Sequence, residues 1–251
     1  MARAIACILV HRESHRSVRA TRTQDPFQAA MKTSKTKLVI FDLDGTLIDT
    51  APDLAYSMDL VMRELHLPAQ GLENVRSYIG HGVRRLVEDI VSSVEKQPAQ
   101  ATLERALDSF NTHYREHLVR ESALYPGVSE SLVWLQARGI KCACVTNKPG
   151  DFANPLLRHF QIEKYFDVVV SGDTLEKKKP DPFPLTYVCN QLGVDAGECI
   201  MVGDSENDIE AARRAGIRSV CMSYGYTPQE DIIALKPDVV LDSCVKLKEL
   251  V

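Results

Sequence analysis

The chain has no C-x-x-C pair, no internal repeat and no low-complexity tract. Its seven cysteines (Cys7, Cys142, Cys144, Cys189, Cys199, Cys221, Cys244) are odd in number, which argues against a disulfide framework or a zinc site and for a reducing compartment, taken here as the cytoplasm. Cys142 and Cys144 alternate within a strand-like run, Lys141 to Val145, and read as packing residues. An excess of one charge is also missing. The net charge is −4 with a pI near 6.0, so neither nucleic acid nor an acidic membrane surface is expected as a partner. The apolar run Ala4 to Val10 is shorter than a membrane span and is followed by no convincing signal cleavage site.

Charge is nevertheless uneven along the chain. Residues 1–36 carry seven Lys and Arg against Glu13 and Asp25, a net of +5, which leaves −9 for the rest. This basic leader is expected to be disordered or loosely attached. A transit peptide is one explanation, and an upstream start with Met31 as the working initiator is another. With 251 residues, one large domain or one domain with an insert is expected.

The informative stretch is Lys37 to Thr50, KLVIFDLDGTLIDT. Leu38, Val39, Ile40 and Phe41 form an unbroken apolar run, the pattern of a strand covered on both faces. It ends at Asp42, with Asp44 two residues on, Gly45 allowing a sharp turn and Thr46 adding a hydroxyl. Two carboxylates at the rim of an apolar sheet lose hydration and repel each other, so a divalent cation is the natural compensation. Taken alone, the same residues would also serve as an ordinary turn.

Helical periodicity follows. Thr50 with Asp53 resembles a capping box, and Leu54, Met58, Val61 and Leu65 continue at helical spacing. Further amphipathic runs follow Gly80-His81-Gly82 and use Leu103, Leu107, Phe110, Tyr114 and Leu118. They predict a small helical bundle inserted after the acidic turn. From Tyr125 onward strand and helix alternate. Strands are expected at 140–145, 167–170, 199–202, 217–222 and 238–241, and helices at 128–138, from Pro149, at 184–192 and at 206–215. This predicts an α/β fold, an open and mainly parallel sheet with helices on both faces.

In such sheets function collects beyond the carboxyl ends of the strands. Those ends carry Asp42 and Asp44; Thr146 and Asn147; Lys177, Lys178 and Lys179 before Pro180; and Gly203, Asp204 and Ser205 with Asp208 beyond. Singly, each has a bland reading as helix cap or solvated loop. Jointly, acids, hydroxyls and a cation converge on one edge, and Lys177 and Lys178 are left as loop residues.

Segments Asp42–Thr46, Thr146, Lys179 and Gly203–Asp208 resemble, in order and spacing, the four motifs of the haloacid dehalogenase superfamily. The resemblance covers residue 37 to the end. Tyr125-Pro126-Gly127, Asn147-Lys148-Pro149, Lys179-Pro180-Asp181-Pro182 and Tyr224-Gly225-Tyr226 resemble its phosphoglycolate phosphatase branch. It implies a Rossmann-like core at 37–50 and 122–251, an inserted α-helical cap at 51–121 and a basic extension at 1–36.

By that resemblance, Asp42 attacks phosphorus to give an aspartyl phosphate. Asp44 protonates the leaving oxygen and later takes a proton from water. Mg²⁺, a hard cation suited to oxygen ligands, is held by the side chain of Asp42, the backbone carbonyl of Asp44 and the side chain of Asp204. Asp208, with Ser205 beside it, supports the site by fixing Lys179 or a water at the ion. Thr46, Thr146 and Asn147 bind substrate, the latter two through phosphoryl oxygens, and Lys179 offsets charge on Asp42 and the transferring group. A dehalogenase attacks carbon and would not require the second acid, so Asp44 favours phosphoryl transfer.

The implied substrate is a small phosphorylated metabolite, 2-phosphoglycolate, hydrolysed to glycolate and phosphate. Its carboxylate would meet His81 and Arg84 or Arg85 at a helix start in the cap. Alternatives are a broad sugar-phosphate phosphatase, a β-phosphoglucomutase-like phosphotransferase, and a noncatalytic binding module, which would be expected to lack Asp42 or Asp44. A monomer or homodimer is expected.

Overall fold

The structure, a computed structural model, describes residues 36–251; the expectations placed on the basic leader, Met31 and Cys7 fall outside these residues. The organising strand is β1 (Leu38–Phe41), every residue of which is sealed from solvent. It lies between β4 (Lys141–Val145) and β6 (Cys199–Gly203), and all its pairings are parallel. With β5 (Val168–Val170), β7 (Arg218–Met222) and β8 (Val239–Leu241), these strands form a six-stranded parallel sheet in the order β5-β4-β1-β6-β7-β8.

The unbroken apolar run of β1 has the cause read from sequence. Val39 and Phe41 face one core with Cys142, Cys144, Ile200 and Val202. Leu38 and Ile40 face another with Ala143, Val145 and Met201. The first core is closed by α5 (Val128–Ala137) and α6 (Gly150–His159), the second by α7 (Phe183–Leu192) and α8 (Glu206–Ala215). Strands buried on both faces have no polar side to alternate with. The six described cysteines are buried free thiols, with Cys142 and Cys144 in β4 as expected.

Between β1 and α5 the chain makes four helices: α1 (Ala51–Glu64), α2 (Gly71–Arg76), α3 (Val83–Val94) and α4 (Gln100–Glu116). Their apolar faces join the first core through Leu54, Met58, Val87, Ile90, Phe110 and Tyr114. The chain enters and leaves this insertion through an antiparallel pair, β2 (Ile48–Asp49) with β3 (Ala123–Leu124). Two-residue strands give no alternation to read, so sequence periodicity missed them, as it missed α2 and the short α9 (Gln229–Leu235).

The capping box expected at Thr50 is not formed. Thr50 caps α1 with no side-chain bond, because its hydroxyl donates to Asp44 Oδ1 at 2.6 Å instead. Asp53, fully buried, accepts from the backbone N–H groups of Glu121 and Ser122 at 2.8–3.1 Å and from the Ser122 hydroxyl at 2.6 Å. It ties the first helix of the insertion to the chain returning from the last. No helix among the described residues is long and apolar enough to cross a membrane.

Candidate active site

Three adjacent parallel strands, β4, β1 and β6, end within one residue of one another, since Phe41, the last residue of β1, pairs with Cys144 and Val202, each one short of its strand's end. Their next residues therefore meet. Asp42 follows β1, Thr146 and Asn147 follow β4, and Asp204 follows β6. Lys179 arrives from the loop after β5. Its ammonium lies 2.8 Å from Asp42 Oδ1 and 2.6 Å from Asp208 Oδ1, and it is only 3% exposed. Carboxylate oxygens of Asp42, Asp204 and Asp208 lie within 4.8 Å of one another, all buried.

Asp204 is held on both oxygens. Oδ1 accepts from the Thr46 hydroxyl at 2.8 Å and Oδ2 from the Tyr226 N–H at 2.8 Å. Backbone presses in on it from two sides. A Cβ on Gly45, where φ is +80°, would sit 2.3 Å from Asp204 Oδ2, and one on Gly225 would sit 2.2 Å from Asp204 Cβ. These positions admit glycine alone without displacing the carboxylate. Asp208 Oδ2 accepts from the Asp204 and Ser205 N–H groups and from the Ser205 hydroxyl at 2.7–3.2 Å. Ser205 and Asp208 form the capping box of α8, so one carboxylate caps a helix and anchors Lys179 together.

Electrostatics follow from burial. Burial pushes the Asp42 carboxyl up to about 7 against the opposing pull of Lys179, with Asp208 and Asp44 adding to the rise. Burial, then Asp208 and Asp42, raise Asp204 well above its ordinary value. Burial alone would lower Lys179, but Asp208 and Asp42 outweigh it and hold the ammonium charged. Three clustered carboxylates thus face one lysine.

That cluster suits a hard cation. Its donors are all oxygen, and Asp42 Oδ1 is buried with no hydrogen bond among the described residues. Lys179 touches that oxygen as an ionic contact, off the alignment a hydrogen bond needs. Asp208 Oδ2 is filled by three donors and its Oδ1 faces the Lys179 ammonium, whereas each Asp204 oxygen accepts a single neutral donor and keeps a lone pair. Asp42 and Asp204 are the side chains left to coordinate.

Asp44 is placed differently. Its carboxylate receives Thr50 Oγ1 at 2.6 Å and Lys148 Nζ at 2.9 and 3.1 Å. Sequence reading gave Lys148 no role; its Asn-Lys-Pro setting was the available signal. Tyr226 was also missed. Its hydroxyl accepts from the N–H groups of Thr50 and Ala51 at 2.7 and 3.0 Å and donates to Asp49 at 3.1 Å. Since its N–H bonds Asp204, it joins the acidic cluster to the base of the insertion.

Other candidates are redistributed. Thr146 Oγ1 accepts from the Lys148 N–H at 3.2 Å, which leaves its hydroxyl proton for a further acceptor. Asn147 does not keep its amide for substrate. Its Nδ2 donates to the carbonyls of Gly80 and Lys179 at 2.8 and 2.9 Å, clamping the insertion to the core. Asn207 shares that task, reaching Gly80 O at 3.1 Å and His81 Nδ1 at 3.3 Å. Thr46 likewise spends its hydroxyl on Asp204.

Above the cluster opens a cavity of about 700 Å³ lined by Asp42, Asp44, Asp204, Arg76, His81 and Tyr226 among others. Arg84 is not there. It points to the outer face of α3, bound to Glu88 and Glu104 at 3.0–3.3 Å, and Arg85 pairs with Asp89 at 2.8 Å. Among the described residues Arg76 is the only arginine or lysine lining the cavity. Among the described residues its Nε is buried without a hydrogen-bond partner, and its Nη1 pairs only with the well-exposed Glu73 at 3.1 Å.

Residues 39–222 match the family model of haloacid dehalogenase-like hydrolases. The chain belongs to that family. Among curated relatives of this hydrolase, the phosphoglycolate phosphatase of Nitrosococcus oceani is 41% identical over 215 residues, 85% of this chain and 96% of its own. That of Thiobacillus denitrificans is 43% identical over 208 residues, 82% and 92% respectively. Among solved structures, the hydrolase is similar to that of a predicted phosphoglycolate phosphatase from Haemophilus somnus 129PT. The TM-score is 0.81 at 35% identity, covering 87% of this chain and 99% of that one.

Proposed function

We propose that this hydrolase is a Mg²⁺-dependent phosphatase that converts 2-phosphoglycolate to glycolate and phosphate through an aspartyl phosphate on Asp42. The observation that carries the proposal is Asp42 itself: a carboxylate at the end of the central strand, facing an open cavity, touched by Lys179, with an oxygen that no hydrogen bond claims among the described residues. The names of the relatives supply the substrate. The helical insertion acts as a cap over this cavity.

A phosphate dianion repels nucleophiles and leaves behind a poor alkoxide, so charge must be offset, the attacker aimed and the leaving oxygen protonated. Asp42 forms the new O–P bond as the ester P–O bond breaks, and Asp44 gives its proton to the departing glycolate oxygen. Water then attacks phosphorus, its proton passes to Asp44, and the Asp42–phosphorus bond breaks. Lys179 stays beside Asp42 throughout, and Asp208 keeps it there. Thr146 directs its hydroxyl proton at a phosphoryl oxygen. The side chains of Asp42 and Asp204 and the backbone carbonyl of Asp44 would hold Mg²⁺, which supplies positive charge to the transferring group. Arg76 receives the substrate carboxylate.

Inorganic phosphate release from a panel of phosphomonoesters, with Mg²⁺ and after chelation, tests the reading. It requires 2-phosphoglycolate to lead the panel, EDTA to silence the enzyme, and Asp42→Asn to stop turnover without unfolding the chain. A near-normal rate in that variant removes the nucleophile assignment.

A further inference from the structure

Lys148 has no task in the steps above. It is 3% exposed, and its ammonium bonds both oxygens of Asp44, at 2.9 and 3.1 Å. The ring of Tyr114, from α4 of the insertion, lies over the same ammonium with its centroid 4.8 Å away. Tyr114 is itself fully buried, and its ring packs 4.9 Å from that of Phe152 in the core. Asp44 Oδ1 also accepts from Thr50 at 2.6 Å.

Taking an ammonium out of water costs several kcal/mol, and a buried ion pair is often equalled in stability by an apolar residue of the same shape. Stability alone therefore gives no reason for the pair to be ionic, although with Asp44 in place Lys148 also offsets its charge. Fixed geometry does. A carboxylate that exchanges a proton has to lie within hydrogen-bond reach of the reacting oxygen, and small misplacements of a reacting group cost large factors in rate. An unrestrained Asp44 side chain turns about two torsions, and three contacts from Lys148 and Thr50 remove that freedom.

We propose that Lys148 is a positioning residue for Asp44, and that Tyr114 of the insertion keeps its ammonium in place. The inference rests on the reading of Asp44 as the proton-transfer group. Through it the helical insertion contributes to the chemistry at a distance, by covering a lysine that never touches substrate.

The test compares kcat/KM for 2-phosphoglycolate with that for p-nitrophenyl phosphate, whose phenolate departs without a proton. This constant covers steps up to the loss of the first product. Asp44→Asn sets the scale: its loss on 2-phosphoglycolate should exceed its loss on p-nitrophenyl phosphate by about 10²-fold or more, the range of general acid catalysis. Lys148→Met should show the same bias at about 10-fold or more, with Lys148→Arg recovering part of it. Equal losses on both substrates, or none on 2-phosphoglycolate, overturn the inference. If Asp44→Asn lacks the bias, the proton-transfer role of Asp44 fails first and the inference falls with it. Should Lys148→Met not fold, Lys148→Gln and Tyr114→Leu carry the comparison, with a bias in the same direction expected and its absence in both counting against the proposal.

Discussion

Binding of Mg²⁺ should raise the thermal midpoint of the metal-free protein, and by more in alkaline than in acidic buffer. Asp42, Asp204 and Asp208 crowd oxygens within 4.8 Å of one another, and Lys179 pairs with Asp42 and Asp208 alone. Burial lifts Asp42 to about 7 and Asp204 also upward. In the metal-free native state these groups hold protons that the unfolded chain has released. Between the unfolded value near 4 and about 7 the native state thus binds more protons, so its stability falls as pH rises through that window. Mg²⁺ held by these carboxylates would replace those protons and restore what is lost. At about 100 times its dissociation constant a ligand adds about 2.7 kcal/mol. For a chain of this size each kcal/mol moves the midpoint by about 2–4 °C, which gives about 5–11 °C. Differential scanning calorimetry with and without Mg²⁺, near pH 6 and near pH 8, in wild type and Asp204→Asn, reads this directly. An equal shift in the variant, a larger shift near pH 6, or metal-free protein that gains stability toward pH 8 would refute the reasoning.

Arg76→Leu should raise KM for 2-phosphoglycolate about 10- to 100-fold, the loss expected for a hydrogen bond between charged groups, and affect a phosphomonoester without a second charge far less; steady-state kinetics on the two substrates decide it. Gly45→Ala should lower stability by about 2–4 kcal/mol in thermal unfolding, combining a positive φ with overlap against Asp204, and should also weaken the Mg²⁺-induced shift. Asp53→Ala removes the acceptor of four bonds from Glu121 and Ser122 and should cost about 2–4 kcal/mol in a denaturant melt, with a near-normal Mg²⁺-induced shift.

The parallel core was legible because its causes are local. An apolar run such as Leu38–Phe41 has to be covered on both faces, and acids placed just beyond it meet those beyond its neighbours once the strands are level. Asp42, Lys179, Asp204 and Asp208 accordingly converge as the sequence order implied. What the sequence hid depends on tertiary direction. Arg84 and Arg76 differ by a helix face and a short helix, and nothing in spacing told that Arg84 would turn to Glu88 and Glu104. Thr50 and Asp53 fit a capping box locally, yet stronger partners, Asp44 and the Ser122 loop, claimed both side chains. Asn147 looked like a free donor until the fold brought Gly80 O within 2.8 Å of it. Lys148 and Tyr226 stood in recognisable segments, but their roles were hidden for the same reason: each acts by joining segments far apart in sequence.

The central claim is that Asp42 becomes covalently phosphorylated. Acid quenching during turnover of 2-phosphoglycolate, followed by mass spectrometry of the peptides, should find the phosphoryl group on Asp42 and none on the same peptide of Asp42→Asn. A phosphoryl group on another residue, or unmodified Asp42 in an enzyme quenched while turning over rapidly, would contradict it.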